Sequence, residues 1–191
     1  IKLRERLEED SIRDPLTRLY NRRFMDDWLR RELRRSMRSQ QRVSLIMGDI
    51  DHFKQLNDRY GHDMGDRVLQ LVAQEMTRSL REEDVVCRMG GEEFVLLLPG
   101  ASIEIATRRA DQIRAQIQAI PLMDGAKELR PVTISMGVAT SPAHSITGPE
   151  LLKSADEALY RAKQAGRDRV EVADPIIRAL ENDDPATPEP A

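Results

Sequence analysis

The chain has 191 residues, of which 40% are hydrophobic and 33% charged, with a formal net charge of −3. That length suits one domain with a substantial core and is too short for two full ones. The mild negative charge argues against general nucleic-acid binding, and no apolar run approaches the roughly 20 residues needed to cross a bilayer. A single cysteine, Cys87, excludes an internal disulfide and a cysteine knuckle, as a reducing cytoplasm permits, and is expected to be a small buried apolar side chain. Beginning at Ile1 with no apolar signal segment, the sequence reads as a piece of a longer protein that is cytoplasmic at this domain and open to membrane attachment elsewhere.

Residues 1–13 alternate charges with Leu3, Leu7 and Ile12, as the end of an incoming signalling helix or linker would. Asp14-Pro15 supplies a capping side chain followed by proline, so a new helix and the folded unit, 14–173, are expected to start there. Up to Arg42 there are 13 basic against 8 acidic side chains, but Met25, Trp28, Leu29, Leu33 and Met37 give this stretch one apolar helical face, and the arginines are expected on its solvated side. A strand follows at Val43 to Asp49 and a helix at Gly65 to Leu80. Two short apolar runs, Val85 to Met89 and Phe94 to Leu98, flank Gly90-Gly91 as a hairpin. Ile103, Ala106, Ala110, Ile113, Ile117 and Ile120 mark the next helix, and Val132 to Thr140 the next strand. Pro149 opens a last helix that Gly166 ends before an edge strand at Arg169 to Val172. Residues 174–191, with four prolines and five acids against one arginine, read as a disordered acidic tail. Strand, helix, hairpin, helix, strand is the order of a ferredoxin-like α+β palm, one sheet with helices on one side.

The chemistry concentrates at two acidic pairs. Asp49 and Asp51 stand where the first long strand leaves the sheet, and Glu92-Glu93 follow the hairpin glycines. An aspartate at a strand end also serves as a turn former or helix cap, but two adjacent carboxylates after a glycine turn have no such role. If the strands are neighbours the acids converge, and like charges held together call for a cation. Mg²⁺ fits, since it binds through one or two carboxylates, water and substrate phosphates.

Gly90-Gly91-Glu92-Glu93-Phe94 resembles the signature of the GGDEF family of diguanylate cyclases in its Glu-containing form. Asp14-Pro15-Leu16-Thr17 with Asn21-Arg22-Arg23, Asp49-Ile50-Asp51-His52-Phe53-Lys54 with Asn57-Asp58, Tyr60-Gly61-His62 with Gly65-Asp66, and Ala155 to Tyr160 leading into Lys163 and Arg167 join it in the family's order. The resemblance implies a palm akin to adenylyl cyclase catalytic domains, a mostly antiparallel central sheet flanked by helices. It also implies a homodimer in which two GTP molecules, one per domain, are condensed into cyclic di-GMP and two pyrophosphates. Asp49, Glu92 and the carbonyl of Ile50 would hold two Mg²⁺ ions, or Mn²⁺, with Glu93 beside them. Glu92 would be the base for the attacking hydroxyl, and Lys54 would stabilise developing charge. Lys163 and Arg167, four apart and expected on one helical face, would contact the triphosphate, and Gly90 and Gly91 would let the backbone approach phosphates.

Asn57 and Asp66 match the family's guanine readers, with helix capping around Gly61 and Gly65 as the plain alternative for either one. A carboxylate accepts both N–H donors of guanine's Watson–Crick edge, whereas adenine leaves it unpaired. Arg81 and Asp84 match the family's inhibitory RxxD site, at which the product cyclic di-GMP binds. Gln112 stands where relatives carry a second-arm arginine, with Arg109 and Arg114 nearby, so product inhibition is expected to be weaker. Three rivals compete: a catalytically silent module binding GTP or cyclic di-GMP, an ATP-accepting relative, and a dimerisation adaptor. The intact Glu92-Glu93 pair argues against the first, Asp66 against the second, and the converging acids against the third. An upstream sensor or regulatory domain completes the expected partners, and nucleic acid is not among them.

Overall fold

A computed structural model of the chain describes residues 11–175. The incoming helix expected at 1–13 and the tail at 174–191 fall almost wholly outside those residues. The elements run β1 (Tyr20–Asn21), α1 (Arg22–Ser39), β2 (Val43–Ile50), α2 (Phe53–Tyr60), α3 (His62–Arg78), β3 (Val85–Gly90) and β4 (Glu93–Pro99). They continue with α4 (Ile103–Gln118), β5 (Met123–Asp124), β6 (Lys127–Glu128), β7 (Ile134–Ser141), α5 (Gly148–Gln164) and β8 (Val170–Val172). No described helix is long and apolar enough to cross a membrane.

Six strands form one sheet in the order β1-β3-β4-β2-β7-β8, while β5 and β6 pair as a separate ribbon. The four central strands are antiparallel neighbours, and β1 and β8 add parallel edges. This is the ferredoxin-like order that the sequence pattern predicts.

The expectation of helices on one side is corrected, because they cover both faces. In β2, Val43 and Leu45 point into one cluster and Ile46 and Ile50 into the other, so both faces of the strand must be shielded from water. Helices α3 and α4 cover the second face through Val68, Val72, Met76, Ala106, Ile113 and Ile117. Helices α1 and α5, outside the repeated strand-helix unit, cover the first through Met25, Leu29, Leu33, Leu151, Ala155 and Ala158. The approach of α5 depends on Gly137 of β7, where a Cβ would lie 2.0 Å from the Ala155 carbonyl oxygen and 2.3 Å from the Leu159 nitrogen.

Other boundaries shift for local reasons. Asp14-Pro15 opens a turn, not a helix: the Asp14 carboxylate accepts from the Thr17 amide (2.8 Å) and hydroxyl (2.6 Å), and Arg18 leaves the turn at φ +62°. The helix starts instead behind Asn21, whose side chain accepts from the Phe24 amide. Met37, expected on the apolar face of α1, is 63% exposed, and Ser36 takes the buried position in the last turn. The helix expected at 65–80 starts earlier, at His62, and a short α2 precedes it, set off by Gly61 at φ +85°. Ile120 lies beyond the end of α4 but packs on the core.

Candidate active site

The ends of β2 and β4 build the site. Asp49 and Glu93 face each other in antiparallel register, and the Ile50 amide donates to the Glu92 carbonyl at 3.3 Å. Glu92 sits in the hairpin turn itself and Glu93 opens β4. Gly90 (φ +140°) and Gly91 (φ +51°) occupy backbone conformations that a Cβ disfavours, although a Cβ would meet nothing within 4 Å at either, so conformation rather than room within the chain requires glycine there. Arg88 pins the turn by donating to the Gly91 carbonyl (2.7 and 3.1 Å) while its other nitrogen grips both oxygens of Asp14 (3.0 and 3.2 Å).

Helix α5, seated tightly on Gly137, brings Lys163 Nζ to 3.0 Å from Asp49 Oδ2. Burial raises the Asp49 pKa above the ordinary carboxylate value, outweighing the Lys163 ammonium. Glu92 is likewise raised, first by burial and then by the Asp49 charge. Arg167 is not on the helical face expected for it. Helix α5 ends at Gln164, and Arg167 lies in a left-handed loop at φ +63°. Its charge nonetheless acts on Asp49, and it lines the same cleft of about 260 Å³ as Lys54, Glu92 and Lys163. A larger open concavity, about 570 Å³, lies along α4 and β8 among Arg108, Asp111, Arg114 and Asp168, where Arg114 already pairs with both acids.

Asn57 lies inside α2 and Asp66 inside α3, so neither caps a helix. Asn57 Oδ1 is buried with no hydrogen-bond partner among the described residues. Gly65 makes room for it, since a Cβ there would sit 1.9 Å from that oxygen, and Asp66 follows directly, exposed to solvent.

Arg81 and Asp84 occupy a separate corner between α3 and β3. Asp84 Oδ2 accepts from the Arg81 amide (2.9 Å) and is ion-paired with Arg109 of α4, while burial raises its pKa. The Arg81 side chain is exposed, 3.8 Å from Glu83. Of the two arginines expected near this corner, Arg109 is there, but Arg114 is committed to Asp111 and Asp168. Gln112 faces the open concavity.

The family follows from a sequence profile, described as diguanylate cyclase, GGDEF domain, that matches residues 11–169. The chain belongs to the GGDEF diguanylate cyclase family. Diguanylate cyclase DgcP of Pseudomonas aeruginosa is 42% identical over 165 residues, which are 86% of this chain and 24% of DgcP. This chain therefore spans about a quarter of that relative's length. Among solved structures, diguanylate cyclase SiaD with its activator SiaC from Pseudomonas aeruginosa aligns at TM-score 0.82 and 43% identity, over 90% of this chain and 65% of that one. The GGDEF domain of DgcB from Caulobacter crescentus in complex with c-di-GMP aligns at TM-score 0.82 and 32% identity, over 86% and 94%.

Metal binding by this GGDEF domain would be of the open kind. Among the described residues no group of three or more His, Cys, Asp or Glu side chains is arranged to cage an ion. The donors present nonetheless fit Mg²⁺, which takes one or two carboxylates and completes its shell with water and phosphate oxygens. The raised Asp49 and Glu92 are a pair that a cation would relieve.

One acid is corrected and one contributor escaped the sequence pattern. Asp51, read with Asp49 as the first acidic pair, is instead buried and fully used inside the protein: it accepts from Thr133 Oγ1 (2.8 Å), Ser135 Oγ (2.7 Å) and the Asp168 amide (3.0 Å). Gly137 sets the seat of α5. Its only sequence signal is a glycine inside a strand, which marks close backbone approach without naming the partner. His144 is buried with Nδ1 against the Thr140 backbone, whereas His52 is exposed and lines the cleft beside Asp51.

Proposed function

We propose that this GGDEF domain is a divalent-metal-dependent diguanylate cyclase that acts as a homodimer, each cleft holding one GTP. The 3′-hydroxyl of each GTP attacks the α-phosphorus of the other. Two P–O bonds form, two break, two pyrophosphates leave and two hydroxyl protons are released. The observation that carries this reading is the convergence of Asp49 and the Glu92-Glu93 pair beside Lys163, with an amide oxygen on the neighbouring helix that has no partner among the described residues.

Asp49, Glu92 and the Ile50 carbonyl would hold two Mg²⁺ or Mn²⁺ ions, with Glu93 next to them. The bound metal would lower the hydroxyl pKa and offset charge at the α-phosphate. Glu92, whose pKa is raised by burial and by the Asp49 charge, would receive the hydroxyl proton. Lys54, Lys163 and Arg167 surround the cleft as the counter-charges for a triphosphate, and Gly90 and Gly91 leave the turn backbone uncovered for phosphate oxygens. Asn57 Oδ1 and the Asp66 carboxylate are acceptors, matching guanine's N–H edge and mismatching the bare N1 of adenine.

The RxxD corner supports product inhibition by cyclic di-GMP. The exposed Arg81 guanidinium, 3.8 Å from Glu83, can exchange that surface ion pair for a fork onto guanine O6 and N7 or a phosphate. Asp84 is engaged by Arg109, so the ligand must share or displace that partner, which favours weak inhibition. The parent protein is proposed to carry a sensor or regulatory domain and to present this domain to the cytoplasm.

The decisive experiment incubates the purified chain with GTP and Mg²⁺ and weighs the product by mass spectrometry. Cyclic di-GMP is expected from the wild type, and a loss of about 10²–10⁴-fold in rate from Glu92→Ala. Full activity of Glu92→Ala would overturn the assignment. Nucleotide binding without product in the wild type would make the domain a silent module.

A further inference from the structure

The loop that presents Arg167 to the cleft is strained. Gly166, Arg167 and Asp168 take φ values of +112°, +63° and +46° in succession. Left-handed backbone suits glycine and is tolerated by Asp, but a side chain like that of Arg disfavours it. Such a conformation persists only where its surroundings over-determine it.

The surroundings do so at Asp168. Its amide donates to Asp51 Oδ2 at 3.0 Å, and Asp51 is itself fixed to β7 by Thr133 and Ser135. Its carboxylate accepts from Arg114 Nη1 (2.8 Å) and Gln118 Nε2 (2.8 Å), both on α4. The loop is thus clamped to the sheet on one side and to the helix covering the opposite sheet face on the other. Among the described residues the hydrogen bonds of Arg167 are its amide's to the Ala162 carbonyl (3.0 Å) and one its carbonyl accepts from Arg169 (3.4 Å), while its charge acts on Asp49 in the cleft that it lines.

We propose that Asp168, held by Arg114 and Gln118, is a positioning residue that keeps Arg167 in the strained conformation from which its guanidinium meets the triphosphate. Arg114 and Gln118 never touch substrate, and act only through Asp168. The inference rests on the reading above that Arg167 contacts the GTP triphosphate, and it assigns this family member a brace on α4 that neither the glycine-acid signature nor the cleft contains.

The test measures affinity for GTP and for GMP, in the presence of Mg²⁺, for the full chain and its variants. Arg167→Ala is expected to weaken GTP by about tenfold and GMP little, since a charge-assisted contact to the outer phosphates is lost. Asp168→Ala should weaken GTP to a similar degree and spare GMP. Asp168→Asn, whose side chain tolerates the left-handed region and can still accept, should recover most of the loss. The double variant Arg167→Ala/Asp168→Ala should be no worse than Arg167→Ala alone, as residues acting in series are non-additive. Arg114→Gln, which leaves the loop sequence intact, should give a loss of a few-fold in the same direction. Unchanged GTP affinity in both Asp168→Ala and Arg114→Gln, alongside a weakened Arg167→Ala, would refute the brace. So would equal weakening of GMP, which signals general unfolding, or an additive double variant. If Arg167→Ala itself binds GTP normally, the triphosphate contact fails and the brace falls with it.

Discussion

The catalytic cleft and the RxxD corner are both made of acids and arginines, yet they are finished differently. In the cleft, Asp49 and Glu92 sit with raised pKa values and Lys163 lies 3.0 Å from Asp49, while on the neighbouring helix an Asn57 oxygen has no hydrogen-bond partner among the described residues. In the corner, Asp84 is saturated by Arg109 and the Arg81 amide. An unfinished site gains from ligand and metal the interactions that the chain withholds, whereas a finished one must give some up. This contrast predicts strong dependence on ligand in the cleft and weak ligand binding in the corner.

The largest expected effect is the loss of about 10²–10⁴-fold in rate from Glu92→Ala, followed as pyrophosphate release. Conversely, a cleft indifferent to that change would not be the unfinished half of the comparison.

Next comes base choice. Gly65→Ala should stabilise an unconstrained helix by about 1 kcal/mol, but here its Cβ would strike the Asn57 oxygen at 1.9 Å. The expected outcome is about tenfold poorer discrimination of GTP from ATP, a partial loss of the strong selection that buried polar matching allows. Asp66→Ser should act in the same direction. Selectivity measured by competition should stay low, without further loss, when Gly65→Ala is added to Asn57→Ala.

At the finished corner, Arg109→Ala should cost about 1–3 kcal/mol in denaturant unfolding, because the buried Asp84 carboxylate is left without its charged partner. The same variant should change the cyclic di-GMP concentration that halves the rate, while Arg81→Ala should abolish inhibition and keep catalysis. Equal sensitivity of wild type and Arg81→Ala would reduce the corner to a structural ion pair.

The smallest effect concerns the brace at the hairpin. Burial opposes the Asp14 carboxylate, but hydrogen bonds from Thr17 and Arg88 outweigh it and hold its pKa below the ordinary 3.8. A group whose native pKa is depressed contributes stability above the unfolded pKa and loses it as pH falls through the native one. Asp14→Asn should therefore cost about 1 kcal/mol near pH 7 and progressively less below pH 4, measured by denaturation at both pH values.

Read alone, the sequence determined the strand and helix order, because apolar periodicity switches between two and 3.6 along the chain. It also determined the acidic chemistry, because Gly90-Gly91-Glu92-Glu93 and Asp49 are contiguous motifs whose residue types have few other uses. Only the tertiary structure decided what depends on long-range contact. Helices α1 and α5 cover the first sheet face, opposite α3 and α4, and no local pattern in a helix reports which face it will cover. Asp14 surrenders its capping role to a turn gripped by Arg88, 74 residues away in sequence. Beyond the helix that Gly166 ends, the loop carrying Arg167 is fixed by Asp168, which is claimed by Asp51 and Arg114, 117 and 54 residues distant. Periodicity and motif are properties of neighbours along the chain, while burial, ion pairing and backbone strain are settled by whichever groups the fold brings alongside.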